Sequence, residues 1–222
     1  MSAGKVIFMD RRLLLISLAL ILAALLWTPA LAEMKALVYN ATGEDLHLVV
    51  NGRMHLAKAD YQASVFRSGS KDEIFLETAN TDGELLTAEL EDGQAYVILF
   101  QESKGIFVLW TLEELNGRLS EVLTKLPGRC KAVVFNASGR LVNGLFQDRP
   151  FAINRTLCLL LLPRAEEPED LHFQVTSPTA FDSGLVADRS HSVLIYRREE
   201  ARLVLLTFED WSEELRATLE PE

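Results

Sequence analysis

The chain has 222 residues, of which 49% are hydrophobic and 24% are charged, and its formal net charge is −10. This length allows two small domains with cores of their own. The acidic balance argues against a nucleic-acid partner, because the sequence has no stretch of clustered Lys and Arg that could bind phosphates. It also disfavours a polyanionic ligand, unless the fold gathers a local basic patch.

Residues 1–32 have the three parts of a secretory signal peptide. The positive n-region consists of Lys5, Arg11 and Arg12, and the apolar core runs from Leu13 to Trp27. Ala30-Leu31-Ala32 matches a cleavage site, so we expect a mature start at Glu33, a periplasmic location and no stable membrane span after cleavage. An uncleaved anchor is the alternative, since the apolar run approaches the length that spans a bilayer. Removing three basic residues and one acidic residue leaves 19 Lys and Arg against 31 Asp and Glu, a net charge of −12.

One stretch of the sequence occurs twice, 96 residues apart. Residues 35–43 (Lys-Ala-Leu-Val-Tyr-Asn-Ala-Thr-Gly) and 131–139 (Lys-Ala-Val-Val-Phe-Asn-Ala-Ser-Gly) are identical at six of nine positions. The stretch 110–114 is answered at the same spacing by 206–210. A period of this length is the size of a small domain and is too long for a solenoid repeat. We therefore expect two copies of one domain behind the leader.

Short apolar runs separated by turn residues fill the first copy. Seven strands are predicted, at Lys35–Ala41, Leu46–Asn51, Tyr61–Arg67, Glu73–Thr78, Leu86–Leu90, Ala95–Gln101 and Ile106–Leu112. Asn51-Gly52 is a strong hairpin dipeptide. The second copy predicts strands around Val142–Phe146, Leu157–Leu162, Leu171–Thr176, Ser192–Tyr196 and Leu203–Phe208. The even turn spacing predicts an all-β protein of two tandem immunoglobulin-like antiparallel β-sandwich domains, residues 33–112 and 130–222.

Two helical segments follow the last strand of each copy. Leu115, Leu119, Val122, Leu123 and Leu126 have helical spacing, so residues 113–129 are predicted to be a linker with a short amphipathic helix packed against one sandwich. Trp211, Leu215 and Leu219 predict a matching C-terminal tail. The carboxylates at the start of these segments suit helix N-termini. A longer strand followed by an irregular linker is the alternative.

The two cysteines, Cys130 and Cys158, both belong to the second copy. Export would place them where disulfides persist, and a bridge would contribute about 3 kcal/mol. Cys158 as a small buried apolar residue is an equally good interpretation. No Cys-x-x-Cys or His-x-x-x-His spacing is present, so no metal site is expected.

The sequence offers no convincing catalytic group. His47 and His172 alternate with apolar neighbours, which predicts that they face solvent. Ser190-His191 and Asp182-Ser183 have suitable residue types, but a triad depends on geometry, and Asp182-Ser183-Gly184 is better explained as a turn. No nucleophile elbow, phosphate loop or dinucleotide fingerprint occurs. We predict a protein that is not an enzyme and has no cofactor.

Asn40 and Asn136 end the repeated strands, and each begins an Asn-Ala-Thr or Asn-Ala-Ser tripeptide that formally matches a glycosylation sequon, as does Asn154-Arg-Thr156. A turn that ends a strand wants the same residues, and the repetition favours this interpretation. The two asparagines are still candidates for contacts with a sugar or a partner. Trp110, Trp211 and Tyr96 are candidates for stacking on a sugar, although aromatic residues in such strands more often belong to the core.

Several short motifs together resemble a known family. They are the leader, the Val38-Tyr39-Asn40-Ala41 strand, the Asn51-Gly52 hairpin and the strand that begins at Tyr96. This combination resembles the AlgF-like family of alginate O-acetylation accessory proteins, which are tandem periplasmic β-sandwiches. The resemblance implies a non-catalytic role beside periplasmic or membrane acetyl-transfer proteins, and it supplies no catalytic residue.

The expected function is therefore that of an adaptor in exopolysaccharide O-acetylation. The acidic balance points to protein partners more than to direct contact with a polyanionic exopolysaccharide such as alginate. Two alternatives remain: a carbohydrate- or cell-wall-binding module, and a general envelope protein-interaction module.

Overall fold

A computed structural model describes most of the repeated region. The described residues are 33–59, 63–69, 73–79, 83, 85–101, 103–125, 132–146, 149–154, 158–161, 171–177, 180–181, 184–186 and 190–220, with the backbone alone between 158 and 186. These residues form mostly β-structure in four sheets, together with two helices. The expectation of a β-rich protein is confirmed. The leader, residues 1–32, lies outside the described residues.

The described part of the first copy contains eight strands in two four-stranded sheets. The strands are β1 (Met34–Asn40), β2 (Leu46–Val50), β3 (Arg53–Ala57), β4 (Ala63–Ser68), β5 (Ile74–Ala79), β6 (Leu85–Leu90), β7 (Ala95–Gln101) and β8 (Ile106–Thr111). Sheet 1 has the order β4-β1-β7-β8, and sheet 2 has the order β3-β2-β5-β6.

The described part of the second copy repeats this plan. Its strands are β9 (Ala132–Asn136), β10 (Val142–Phe146), β11 (Arg149–Ile153), β12 (Cys158–Leu161), β13 (Leu171–Ser177), β14 (Ala180–Phe181), β15 (Gly184–Val186), β16 (Ser190–Arg197) and β17 (Arg202–Thr207). Sheet 3 has the order β12-β9-β16-β17-β14, and sheet 4 has the order β11-β10-β13-β15. Of the predicted turn Asp182-Ser183-Gly184, residues 182–183 lie outside the described residues, and Gly184 is the first residue of β15.

Two of the expected strand features need correction. The sheets are mixed, because β1 pairs in parallel with β7, and β9 pairs in parallel with β16 at the equivalent register. The sequence pattern also did not predict β3 and its counterpart β11. Both lie at the end of their sheet and are largely exposed, so they lack the alternation of apolar and polar residues that marks a half-buried strand.

Three apolar clusters lie between the sheets. One separates sheets 1 and 2 and includes Val38, Leu48 and Leu76, and another separates sheets 3 and 4 and includes Val134 and Val142. The third, here called the shared cluster, joins the opposite faces of sheets 1 and 3. It contains Leu37 and Tyr39 from β1, Val133 and Phe135 from β9, and Leu115 and Trp211 from the two helices. The sheets are thus stacked in the order 2, 1, 3, 4.

The position of β1 and β9 in the middle layers explains their composition. Neighbouring side chains in a strand point to opposite faces of the sheet. In β1 Val38 faces sheet 2 and Leu37 faces the shared cluster, so both faces are buried. A strand covered on both faces needs an unbroken apolar run, and this is why the repeated stretch is so apolar.

The two helices follow β8 and β17 directly. α1 spans Leu112–Lys125 and α2 spans Phe208–Ala217, which confirms both predicted helices and the acidic residues in their first turns. α1 was expected to pack against one sandwich. It buries Leu112, Leu115 and Leu119 in the shared cluster, between elements of both copies.

Candidate functional site

The repeated asparagines sit where β1 and β9 end. Asn40 is fully buried, and its Nδ2 donates to the backbone carbonyl oxygens of Glu44 (2.9 Å) and Ala57 (2.9 Å), with that of Lys58 at 3.3 Å. Its Oδ1 accepts from the backbone N–H of Thr42 (3.0 Å) and from the Thr42 hydroxyl (2.8 Å). The amide therefore fastens the end of β1 to the next turn and to the end of β3.

The second copy builds the same arrangement with its own residues. Nδ2 of Asn136 donates to the carbonyl oxygens of Arg140 (2.8 Å), Asn154 (3.0 Å) and Ile153 (3.2 Å). Its Oδ1 accepts from the backbone N–H of Ser138 (3.1 Å) and from the Ser138 hydroxyl (2.6 Å). We call each set an asparagine bracket. It explains why Asn is followed two residues later by Thr or Ser in both copies.

The asparagine brackets use the full hydrogen-bonding capacity of both Asn side chains. An Asn side chain has two N–H donors and one oxygen with two lone pairs, and all of these are used inside each copy. Both side chains are 0% exposed. Both asparagines therefore have a structural role at the end of their strand, which agrees with the turn interpretation.

The aromatic candidates are mostly core residues. Trp211 is 1% exposed and meets Tyr39 edge-on at 5.4 Å between ring centroids, inside the shared cluster. Tyr96 is buried, its hydroxyl oxygen accepts from the backbone N–H of Glu91 (2.8 Å), and burial raises its pKa. Trp110 is half-buried, and the guanidinium of Arg118 covers its ring at 4.2 Å from the centroid. Of the three, Trp110 alone has part of its side chain at the surface.

The remaining predictions on single residues have mixed outcomes. His47 is exposed as expected. Cys130 and the side chains of Cys158 and His172 lie outside the described residues, so the disulfide stays a prediction.

A polar junction between the copies was not foreseen. Nδ1 of His191 on β16 lies 3.1 Å from Oδ1 of Asn116 on α1, while Nε2 of His191 is buried and has no hydrogen-bond partner among the described residues. Burial lowers the pKa of this imidazole. A cavity of about 540 Å³ beside it is also lined by Glu209, Glu213 and Arg216 of α2. The sequence held no sign of this contact, because the partners are 75 residues apart.

An opening lies at one side of the first copy, where the edges of sheets 1 and 2 face each other. This edge cleft has a volume of about 590 Å³. Arg53 and His55 of β3 line one wall, Phe66 and Ser68 of β4 line the other, and Glu73 lies at one end. The His55 ring meets the Phe66 ring edge-on at 5.1 Å. The edge cleft is lined by two arginines, Arg53 and Arg67, in a chain that is acidic overall.

Within the described residues, no three His, Cys, Asp or Glu side chains form a group that could hold a metal ion. No helix in the described part of the chain is long and apolar enough to cross a bilayer. Comparison with protein-family models gives no match, and comparison with curated proteins likewise gives none.

Proposed function

We propose that the chain is a non-catalytic accessory protein of exopolysaccharide O-acetylation, of the alginate type, exported to the periplasm by residues 1–32. Its working parts are two tandem immunoglobulin-like sandwich domains, residues 33–112 and 130–222, joined by the helical linker 113–129. Its role is that of an adaptor that holds periplasmic or membrane acetyl-transfer proteins together. The resemblance of its repeated strands to the AlgF-like family is the source of the pathway assignment.

One observation carries the non-catalytic part of the proposal. Four of the polar residues that recur in the two copies are committed to the structure: Asn40 and Asn136 in the asparagine brackets, and Thr111 and Thr207 in the helix caps. An enzyme that arose by duplication of a catalytic domain would be expected to repeat nucleophiles, acids or bases at a shared opening. Repetition that serves only architecture fits a scaffold.

Charge supports protein partners over the polymer. The net charge of −10 repels a polyuronate chain, and a scaffold for proteins does not meet this obstacle. The carbohydrate-binding alternative depends on Trp110, which keeps part of its ring at the surface beside Arg118. A general envelope interaction module remains the other alternative.

The test is deletion of the gene in the organism that encodes it, followed by measurement of acetyl esters per sugar in the exported polymer. We expect the acetyl content to fall while the amount of polymer is maintained, and the intact protein to restore it. The protein should also co-purify with a membrane acetyltransferase after mild cross-linking. Unchanged acetylation would overturn the pathway assignment. Transfer of acetyl groups by the isolated protein would overturn the non-catalytic role.

A further inference from the structure

β3 is the last of the described strands on one side of sheet 2, so half of its backbone N–H and C=O groups point away from the sheet. Asn51 and Gly52 form a two-residue turn with φ of 47° and 75°, and Val50 and Arg53 flank it as partners. In such a hairpin the flanking pair is hydrogen-bonded, so the next pair, Val49 and Met54, directs its N–H and C=O groups away from each other. The Asn51 N–H bonds the Phe75 carbonyl (2.9 Å), as this alternation requires. The N–H and C=O groups of Met54 and Leu56 therefore point out of the sheet.

The outer face beside this edge is apolar. Met54 is 73% exposed and Leu56 is 48% exposed, and both lie on the face of sheet 2 that points away from the protein core. Farther across the sheet the same face carries Phe75 and Leu85, which is 61% exposed, together with the polar residues His47, Glu77 and Glu89. Large exposed apolar side chains that adjoin one another mark interaction surfaces more often than isolated ones do.

The other face of β3 is cationic. Arg53 and His55 alternate with Met54 and Leu56, so they point into the edge cleft, where His55 touches Phe66. β3 carries no acidic residue, and of the described residues that line the cleft only Glu73 is acidic. One edge strand thus offers outward backbone groups, an apolar face and a cationic face.

The second copy supplies an internal comparison. Its edge strand β11 has Arg149 where β3 has Arg53, but it has Pro150 where β3 has Met54, and Ala152 where β3 has Leu56. Proline has no N–H to offer, and proteins use it to block the pairing of exposed edges. By the same register argument, Pro150 stands where the N–H would point outward. The edge strand of the second copy therefore carries a proline that hinders pairing with a further strand, whereas the edge strand of the first copy has none.

We propose that β3 is a docking edge for an extended segment of a partner protein, in which apolar residues alternate with acidic ones. The segment would add to sheet 2 as a further strand and bond the outward groups of Met54 and Leu56. Its apolar side chains would pack beside the Met54 and Leu56 side chains, and its carboxylates would enter the edge cleft near Arg53 and His55. We choose an acidic segment because its carboxylates complement the arginines of the edge cleft, which is locally basic although the chain is acidic overall.

This inference names where the partner of the proposed function binds, and it relies on that proposal only for the partner's biological role. The binding test involves neither polymer nor acetyl transfer. A failure here and a failure of the acetylation experiment are therefore distinguishable.

The experiment selects random peptides, displayed on phage, against the purified protein. We expect the enriched peptides to alternate apolar residues with Asp or Glu. Met54→Pro should lower the affinity of a selected synthetic peptide about tenfold, as the loss of a backbone bond at the edge predicts. Arg53→Glu should lower it by a similar factor. Arg149→Glu, the matched charge reversal in the second copy, should leave the affinity unchanged.

Two readouts keep the result tied to the mechanism. The amide N–H groups of Met54 and Leu56 should become protected from hydrogen exchange when the peptide binds. The melting temperature of Met54→Pro should stay near that of the unaltered protein, since β11 already accommodates proline at this place. If Met54→Pro lowers the melting temperature, Met54→Asp and Leu56→Asp take its place in the binding test, because they disrupt the apolar face without changing the backbone.

Four outcomes would overturn the proposal. The first is enrichment of basic peptides, and the second is equal binding to the unaltered protein and to all the edge variants. The third is binding of an oligouronate in place of peptides, with sensitivity to Arg53→Glu but not to Met54→Pro, since this would assign the edge cleft to the polymer. A concentration-dependent dimer abolished by Met54→Pro would instead identify a second copy of the chain as the occupant, and would also overturn it.

Discussion

At the scale of single residues, the amide of Asn40 joins three parts of the backbone. It holds the end of β1, the turn at Glu44 and the end of β3 at Ala57. The hydrogen bonds are buried, so their loss would leave carbonyl groups without partners and away from water. The bracket explains a repeated motif that a sequence alone presents as a sugar-attachment site.

We predict that Asn40→Ala lowers the free energy of unfolding by about 3 kcal/mol, because several buried polar groups lose their partner together. Asn136→Ala should have an effect of similar size, since its bracket has the same bonds. Urea denaturation measures both. Asn154→Ala is the control, because the Asn154 side chain is exposed and its effect should stay within about 0.5 kcal/mol. Equal effects for Asn40 and Asn154 would contradict the bracket.

His191 makes the stability depend on pH. Burial lowers the pKa of the folded imidazole below the value of about 6.5 that it has in an unfolded chain. The stability linked to the neutral ring is complete above about pH 6.5 and is lost as the pH falls towards the lowered pKa, because the unfolded chain takes up the proton first. The side chains of Glu209, Glu213 and Arg216 also line the adjacent cavity.

We therefore expect His191→Gln to lose less stability between pH 7 and pH 5 than the unaltered protein does. The urea midpoint, measured at both values, reports the difference. His47→Gln is the matched control, since His47 is exposed on the outer face of sheet 2 and its replacement should preserve the original pH dependence. If His191→Gln leaves the change of the urea midpoint between pH 7 and pH 5 unaltered, another group is responsible for the loss of stability at low pH.

At the scale of elements, each last strand passes into a helix without a loop. Thr111 and Glu114 form a capping box at α1: the Glu114 N–H donates to the Thr111 hydroxyl (3.1 Å), and the Thr111 N–H donates to Oε2 of Glu114 (2.9 Å). At α2 the Asp210 N–H donates to the Thr207 hydroxyl (3.0 Å). The repeated Thr thus ends a strand and caps a helix at once.

Thr207→Ala should lower the free energy of unfolding by about 1 kcal/mol, the usual effect of removing a helix cap. Thr207→Ser keeps the hydroxyl and should restore most of the loss. Chemical denaturation followed by circular dichroism measures both variants. If Ser destabilised the protein as much as Ala, the methyl group of Thr207 would be responsible and the cap would not.

The elements also show what sequence patterns can predict. β1 and β7 were predictable as short unbroken apolar runs bounded by turn residues, and β2 and both helices were predictable because their apolar residues follow the period of a strand or a helix. β3 was not, because it reverses the usual order: Met54 and Leu56 face solvent while Arg53 and His55 face the edge cleft. The residues that hid the strand from prediction are those that make it a candidate docking edge.

At the scale of the whole molecule, the two copies share a core. The shared cluster places Leu37 of β1 and Phe135 of β9 in one apolar group with Trp211, and the Tyr39 hydroxyl donates to the Ala137 carbonyl across the copies at 3.4 Å. The unbroken apolar runs of β1 and β9 imply that both faces are covered. The apolar runs do not reveal which element covers each face, since the same pattern would arise whether the two copies cover each other or each is covered by a separate partner.

Trp211 offers the sharpest test of whether the copies unfold together. Its ring contacts Tyr39 of the first copy and Phe208 of its own helix, at 5.4 Å and 5.7 Å between centroids. Trp211→Ala should lower the free energy of unfolding by about 3–5 kcal/mol, because a large buried side chain leaves a cavity. It should also speed amide hydrogen exchange in β1 and β7, although these strands belong to the other copy.

The matched control for this coupling is Leu76→Ala, which removes a buried side chain from the cluster between sheets 1 and 2. That change should speed exchange in the first copy while α2 and β16 respond less, because Leu76 does not belong to the shared cluster. Exchange measured residue by residue distinguishes the two patterns. If Trp211→Ala accelerates exchange in β16 and β17 and leaves β1 unchanged, the copies unfold independently and the shared cluster does not couple them.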